Sequence, residues 1–156
     1  MASDLRITDA CAKSALNNLF GTSNALVGTQ ANSGILRIYA DAGSPDIPAG
    51  EPANAGHGTV LAELTMNATS FGAAAAETTG VKITAGAITQ DSAANASGDA
   101  KYFTLFASNG TTALIQGTVD VVGNSPDMVI DNVTIAIGAT VSCSAFTIKI
   151  PKGWTT

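Results

Sequence analysis

Polar and apolar residues alternate along Lys101–Gly117 around the dipeptide Asn109-Gly110, and this stretch organises the chain. Two strand-like runs flanking Asn-Gly are a strong hairpin signal. A two-residue loop would set Thr112 opposite Ala107 and Gln116 opposite Phe103, mixing polar and apolar on each face. A three-residue loop, Ser108 to Gly110, instead pairs Phe103 with Ile115 and Leu105 with Ala113. That register is the cleaner one, and a one-residue slip would turn every side chain over. It requires Gly110 at positive φ, closing a type I turn with a G1 bulge. Phe103, Leu105, Ala113 and Ile115 then form a core face. Tyr102, Thr104, Thr112 and Gln116 share the other face with Phe106 and Leu114, which need cover from a second layer or a neighbouring subunit.

Before this hairpin, Cys11, Ala12, Ala15, Leu16, Leu19 and Phe20 recur with a helical period. They predict one N-terminal amphipathic helix within residues 1–21. Thr8 or Ser3 would cap it, Asp9 would sit favourably in its first turn, and Gly21 would stop it. Strand patterns follow over 34–40, 59–66 and 81–89, the last kinked at Gly86. Residues 41–58 hold three prolines and four glycines, which predict a long loop. Residues 67–79, with the alanines 73–76, read as a loop or arm. Later strands are predicted at 118–122, 128–130, 132–137 and 140–150, with Pro151 as a stop. This spacing predicts a mainly β fold: an antiparallel β-sandwich or jelly roll carrying one N-terminal amphipathic helix. A single β-rich domain would span 1–156, with the helix in 1–21, the sandwich in 34–151 and a tail in 152–156.

Composition changes the picture in one respect. Charged residues make up 12% of the chain and aromatics 5%, against an average of about 25% charged. A surface rich in Thr, Ser, Asn and Gly but poor in charge suits a chain whose surface is covered in an assembly, as a homo-oligomer. The net charge is −5, without a Lys/Arg run, so the electrostatic footprint of a nucleic-acid binder is missing. No apolar run reaches the roughly 18 residues of a membrane span. Asp4, Arg6, Asp9 and Lys13 lie where an export signal would be apolar, which predicts synthesis in a cytoplasm without a cleaved signal.

Chemistry is sparse. His57 is the only histidine and stands between two glycines, with no nucleophile motif beside it. Cys11 and Cys143 lack metal or redox spacing; two buried, reduced thiols are expected, with one disulfide between them as the alternative. Asp120, Asp127 and Asp131 lack the spacing of a calcium loop. No glycine loop has the Lys-Thr and helix of a phosphate site. The four Asn-x-Ser/Thr sequons, at Asn67, Asn95, Asn109 and Asn132, follow from a Thr/Asn-rich composition. These residues predict no enzyme, no cofactor and no metal. The residues best suited to an interface are Leu16, Leu19 and Phe20 on the helix, Ile47 in the long loop, Phe106 and Leu114 on the second hairpin face, and Trp154 in the tail.

The order of several motifs resembles a family of small β-rich virion proteins of tailed bacteriophages, of the capsid decoration or cement type. The motifs are the N-terminal Ala/Leu helix, Gly34–Tyr39, the loop with Pro45 to Pro52, Leu61–Thr65, Phe71–Ala74, Tyr102–Phe106, Ser108–Thr111, Gly117–Val119, and the closing strand 141–151. The loop 41–58 is longer than is usual in that family. The resemblance implies a structural protein on the outside of a phage head, a homotrimer that stabilises the head by bridging capsomers. Its partners would be the major capsid protein or other virion proteins. A neck, tail or fibre component of the same particle is an alternative. A carbohydrate-binding β-sandwich module is another, with Tyr39, Tyr102 and Trp154 as the available aromatics.

Overall fold

The computed structural model describes residues 8–20, 31–40, 58–121, 127–143 and 146–151. Helix α1 spans Asp9–Phe20. Thr8 is its cap: its Oγ1 accepts from the Cys11 N–H at 3.3 Å and its carbonyl accepts from Ala12. The predicted stripe is narrower in the structure. Ala12, Leu16 and Phe20 are buried, whereas Cys11 and Leu19 are exposed. The burial follows an i, i+4, i+8 line because the helix lies along a sheet rather than in a groove.

Among the described residues ten strands follow: β1 Ile35–Ala40, β2 Val60–Met66, β3 Ala75–Ala76, β4 Gly80–Thr84, β5 Ile88–Thr89, β6 Gly98–Phe106, β7 Ala113–Asp120, β8 Met128–Val129, β9 Thr134–Ile135 and β10 Thr147–Pro151. The described residues are mainly β, with α1 as the helix the pattern predicts. The large sheet runs β5-β2-β1-β6-β7-β8, with β9 pairing the start of β6; the small sheet runs β10-β4-β3. Helix α1 packs on β4 and β3. Asn17 ties it there by accepting the Ala74 N–H at 2.8 Å.

Four elements depart from expectation. The alanines at 75–76 form β3, because β4 offers them a ladder at Lys82 and Val81. The predicted strand 81–89 is two strands in different sheets. The break lies at Gly86, whose N–H turns to the Ser70 carbonyl. The late strands at 132–137 and 140–150 shrink to β9 and β10; Val141 makes only an isolated bridge to Asp91. One pairing is parallel, between β7 and β8, with Val119 opposite Met128.

One core joins the helix to the inner faces of both sheets. An aromatic chain runs through it: Phe20 to Phe71 at 5.3 Å, Phe71 to Phe146 at 6.1 Å, and Phe146 to Phe103 at 5.1 Å. Offset and edge contacts of this kind stabilise beyond the area they bury. On the solvent side of the small sheet, Glu77 bridges Lys82 of β4 and Lys149 of β10.

The central hairpin is in place, but its register differs from the predicted one. Gly110 has φ +68°, as required. The pairs, however, are Leu105 with Ile115, Thr104 with Gln116 and Phe103 with Gly117, while Phe106 pairs with Ala113. The extra residue is therefore Leu114, and the bulge sits in β7 rather than at the glycine. It sends Leu114 against the main core beside Ile115 and leaves Ala113 on the outer face with Phe106. The proposed companionship of Phe106 and Leu114 is thus corrected. Gly117 explains the shift. A Cβ there would stand 2.7 Å from Phe103 Cε1 and 2.9 Å from Asp127 Cβ. Only a residue without a side chain lets the Phe103 ring lie across the neighbouring strand.

Candidate interface surfaces

Two surfaces of the hairpin layer differ in chemistry. The outer face is built from three cross-strand rows. Ile35, Phe106 and Ala113 form the first; Glu63, Arg37, Thr104 and Gln116 the second; Tyr39, Tyr102 and Thr118 the third. The middle row is polar. Arg37 Nε binds Glu63 Oε1 at 2.7 Å, Arg37 Nη1 donates to the Gly110 carbonyl at 3.0 Å, and its guanidinium lies 4.7 Å over the Phe106 ring. Gln116 Nε2 donates to Thr104 Oγ1 at 3.2 Å, and Thr104 is fully buried. In the third row the Tyr39 and Tyr102 rings stack at 4.9 Å, within 6° of parallel. The Tyr102 hydroxyl accepts the Gly58 N–H at 2.7 Å. Burial pushes the Tyr39 phenol above its ordinary range, opposed in part by the charge of Arg37.

The inner side opens elsewhere. A cleft of about 650 Å³ lies between β7 and β8 of the large sheet and β10 of the small one. Phe20, Phe103, Ile115, Val129, Phe146 and Ile148 give it an apolar lining, and Asp127 and Lys149 add one charge of each sign. Val129 is 38% exposed. Asp127 is positioned by the hairpin, since its Oδ2 accepts from both the N–H and the hydroxyl of Thr118 at 2.9 and 3.0 Å.

A third feature is a hydrophobic knob. Ile137 is 68% exposed at the tip of a turn. The turn is pinned: the Ile137 N–H donates to Ser97 Oγ, the Gly138 N–H to Ala94 O, and the Ala94 N–H to Ala139 O. The sequence pattern assigned this isoleucine to a strand and so hid it.

The predicted interface residues are not brought together. Leu16 and Phe20 belong to the chain's own core, and Leu19 is 36% exposed on the far side of α1. Phe106 is buried on the outer face and Leu114 packs on the inner core. Ile47 and Trp154, like His57, lie outside the described residues. Cys11 and Cys143 do not form a disulfide; Cys11 is exposed rather than buried, and Cys143 is buried.

Polar side chains among the described residues act mainly as fasteners. Asp91 accepts the Glu63 and Ala93 N–H groups, Asn32 accepts that of Ser70, and Asp99 accepts the Thr134 hydroxyl. Glu77 is held below the usual carboxylate range by its hydrogen bonds from Lys82 and Lys149. Among the described residues, no three His, Cys, Asp or Glu side chains stand close enough to share a metal ion, and no helix is long and apolar enough to cross a membrane. Compared with known proteins, the chain matches no family model, no curated protein and no solved structure.

Proposed function

We propose that this chain is a structural component of a bacteriophage virion, a capsid decoration or cement protein that binds the outside of the head. In this role its work is mechanical. Apolar and hydrogen-bonding surface buried across a capsomer junction must be re-exposed before the capsomers can part. The observation that carries this reading is the mainly apolar cleft between β7, β8 and β10, lined by phenylalanine, isoleucine and valine, with Gln116, Thr147 and a single charge of each sign. Such a lining suits an apolar segment of a large partner better than a small polar substrate. The motif order of the chain and its low charge content support the same reading. A net charge of −5 suits an outer surface better than one facing packaged DNA. Homotrimers fit that placement, since closed rotational symmetry lets one chain touch several capsomers.

The carbohydrate-binding alternative is disfavoured by one observation. Tyr39 and Tyr102 are buried against each other and offer no exposed aromatic platform. The test is to add purified protein to heads that lack it. Stoichiometric rebinding and higher resistance to bursting are expected, and Val129→Asp should weaken rebinding while leaving the circular dichroism of the free protein unchanged. Failure of the wild-type chain to bind such heads would overturn the proposal. Light scattering tests the trimer separately, and a monomer at high concentration would exclude it.

A further inference from the structure

The hairpin tip carries a reactive dipeptide, Asn109-Gly110, the only Asn-Gly pair in the chain. In a flexible chain such a pair deamidates readily, because glycine has no Cβ to hinder approach. The Gly110 backbone nitrogen attacks Asn109 Cγ and forms a C–N bond. The side-chain Nδ2 leaves with the proton from Gly110 as ammonia, and water then opens the cyclic imide to aspartate or isoaspartate. Asn109 is exposed, so water is at hand.

Both reacting groups are clamped in the fold. The nucleophile is committed, since the Gly110 N–H donates to the Ala107 carbonyl at 2.9 Å. The electrophile is held from three sides: Asn109 Oδ1 accepts the Thr111 and Thr112 N–H groups at 3.0 Å each, and Nδ2 donates to Thr112 Oγ1 at 2.9 Å. The Gly110 carbonyl is in turn held by Arg37 Nη1 at 3.0 Å. Attack requires the Gly110 N–H to leave Ala107 and the side chain to rotate out of its turn.

We propose that Asn109 is a conditional modification site, closed to deamidation while the turn is intact and open only when the hairpin tip opens. The amide that must be freed for attack is the same amide whose hydrogen exchange reports opening. If only the open turn reacts, the slowing of deamidation in the folded protein is at least as large as the exchange protection of Gly110, since the Asn109 side chain must also leave its hydrogen bonds.

The experiment ages the folded chain and the urea-unfolded chain at mildly alkaline pH and quantifies aspartate and isoaspartate at position 109 by peptide mapping. Hydrogen exchange at Gly110 is measured alongside. The folded rate should be lower by about tenfold or more, and by no less than the Gly110 protection, as expected where modification needs local opening. Thr112→Ala should raise the folded rate and leave the unfolded rate unchanged. If that variant does not fold, the wild-type comparison decides alone. Equal rates in the folded and unfolded chains, or a slowing smaller than the Gly110 protection, would overturn the proposal.

Discussion

The two faces of the layer formed by β1, β6 and β7 use the same strands in opposite ways. The inner face is held by shape. Phe103 lies over Gly117 and meets Phe146 at 5.1 Å, closing an aromatic chain that reaches the helix. The outer face is held by pairing. Arg37 joins Glu63, the Phe106 ring and the Gly110 carbonyl, and Tyr39 stacks on Tyr102. Shape complementarity is intolerant of volume change, whereas a partly exposed ion pair such as Arg37–Glu63 and its cation–ring contact are modest and adaptable. The difference teaches where rigidity resides: the inner face fixes the sheet, and the outer face fixes the turn.

Substitutions can break that contrast in order of size. Phe103→Ala should cost most, about 3–5 kcal/mol of unfolding free energy by urea titration, as for a buried phenylalanine whose site cannot collapse. Gly117→Ala should cost about 1–3 kcal/mol by overpacking. In the Phe103→Ala background that cost should fall without vanishing, because the ring is gone while the 2.9 Å approach to Asp127 Cβ remains. On the outer face, Arg37→Met keeps the packing but loses the charge and should cost only about 1–2 kcal/mol, part of it already lost in wild type at high salt. The smallest effect is alkaline. The unfolded phenol of Tyr39 ionises near pH 10 and the folded one higher. Stability is therefore level below that pH and falls as pH rises through the folded value. Tyr39→Phe should show a shallower alkaline fall. Outer-face losses as large as that of Phe103→Ala would erase the distinction.

Much of this layer was legible in the sequence, and the failures have physical causes. The alternation of Ile35–Ala40 and of Val60–Met66 located β1 and β2 closely, because one side of each faces a continuous core. The inner pair Phe103 and Leu105 was legible for the same reason. The bulge at Leu114 was not, since it depends on a through-space fit of Phe103 over Gly117 that no local pattern encodes. Nor was β3, where two alanines of low strand preference are held by the ladder of β4 and by the ties from Glu77. The cleft escaped because its lining comes from α1, β6, β7, β8, β10 and Phe146, distant in sequence. The exposed Ile137 escaped because an apolar residue before a glycine reads as a strand end.

These faces place the candidate contact surface between the two sheets. The proposed role turns on whether that surface meets a capsid. An electron-microscopy map of the phage head tests it most directly. The expected density lies at capsomer junctions on the head exterior, with Val129 and Ile148 of the cleft against the capsid. Density in the neck, tail or fibres alone, or none in the particle, would contradict the proposed role.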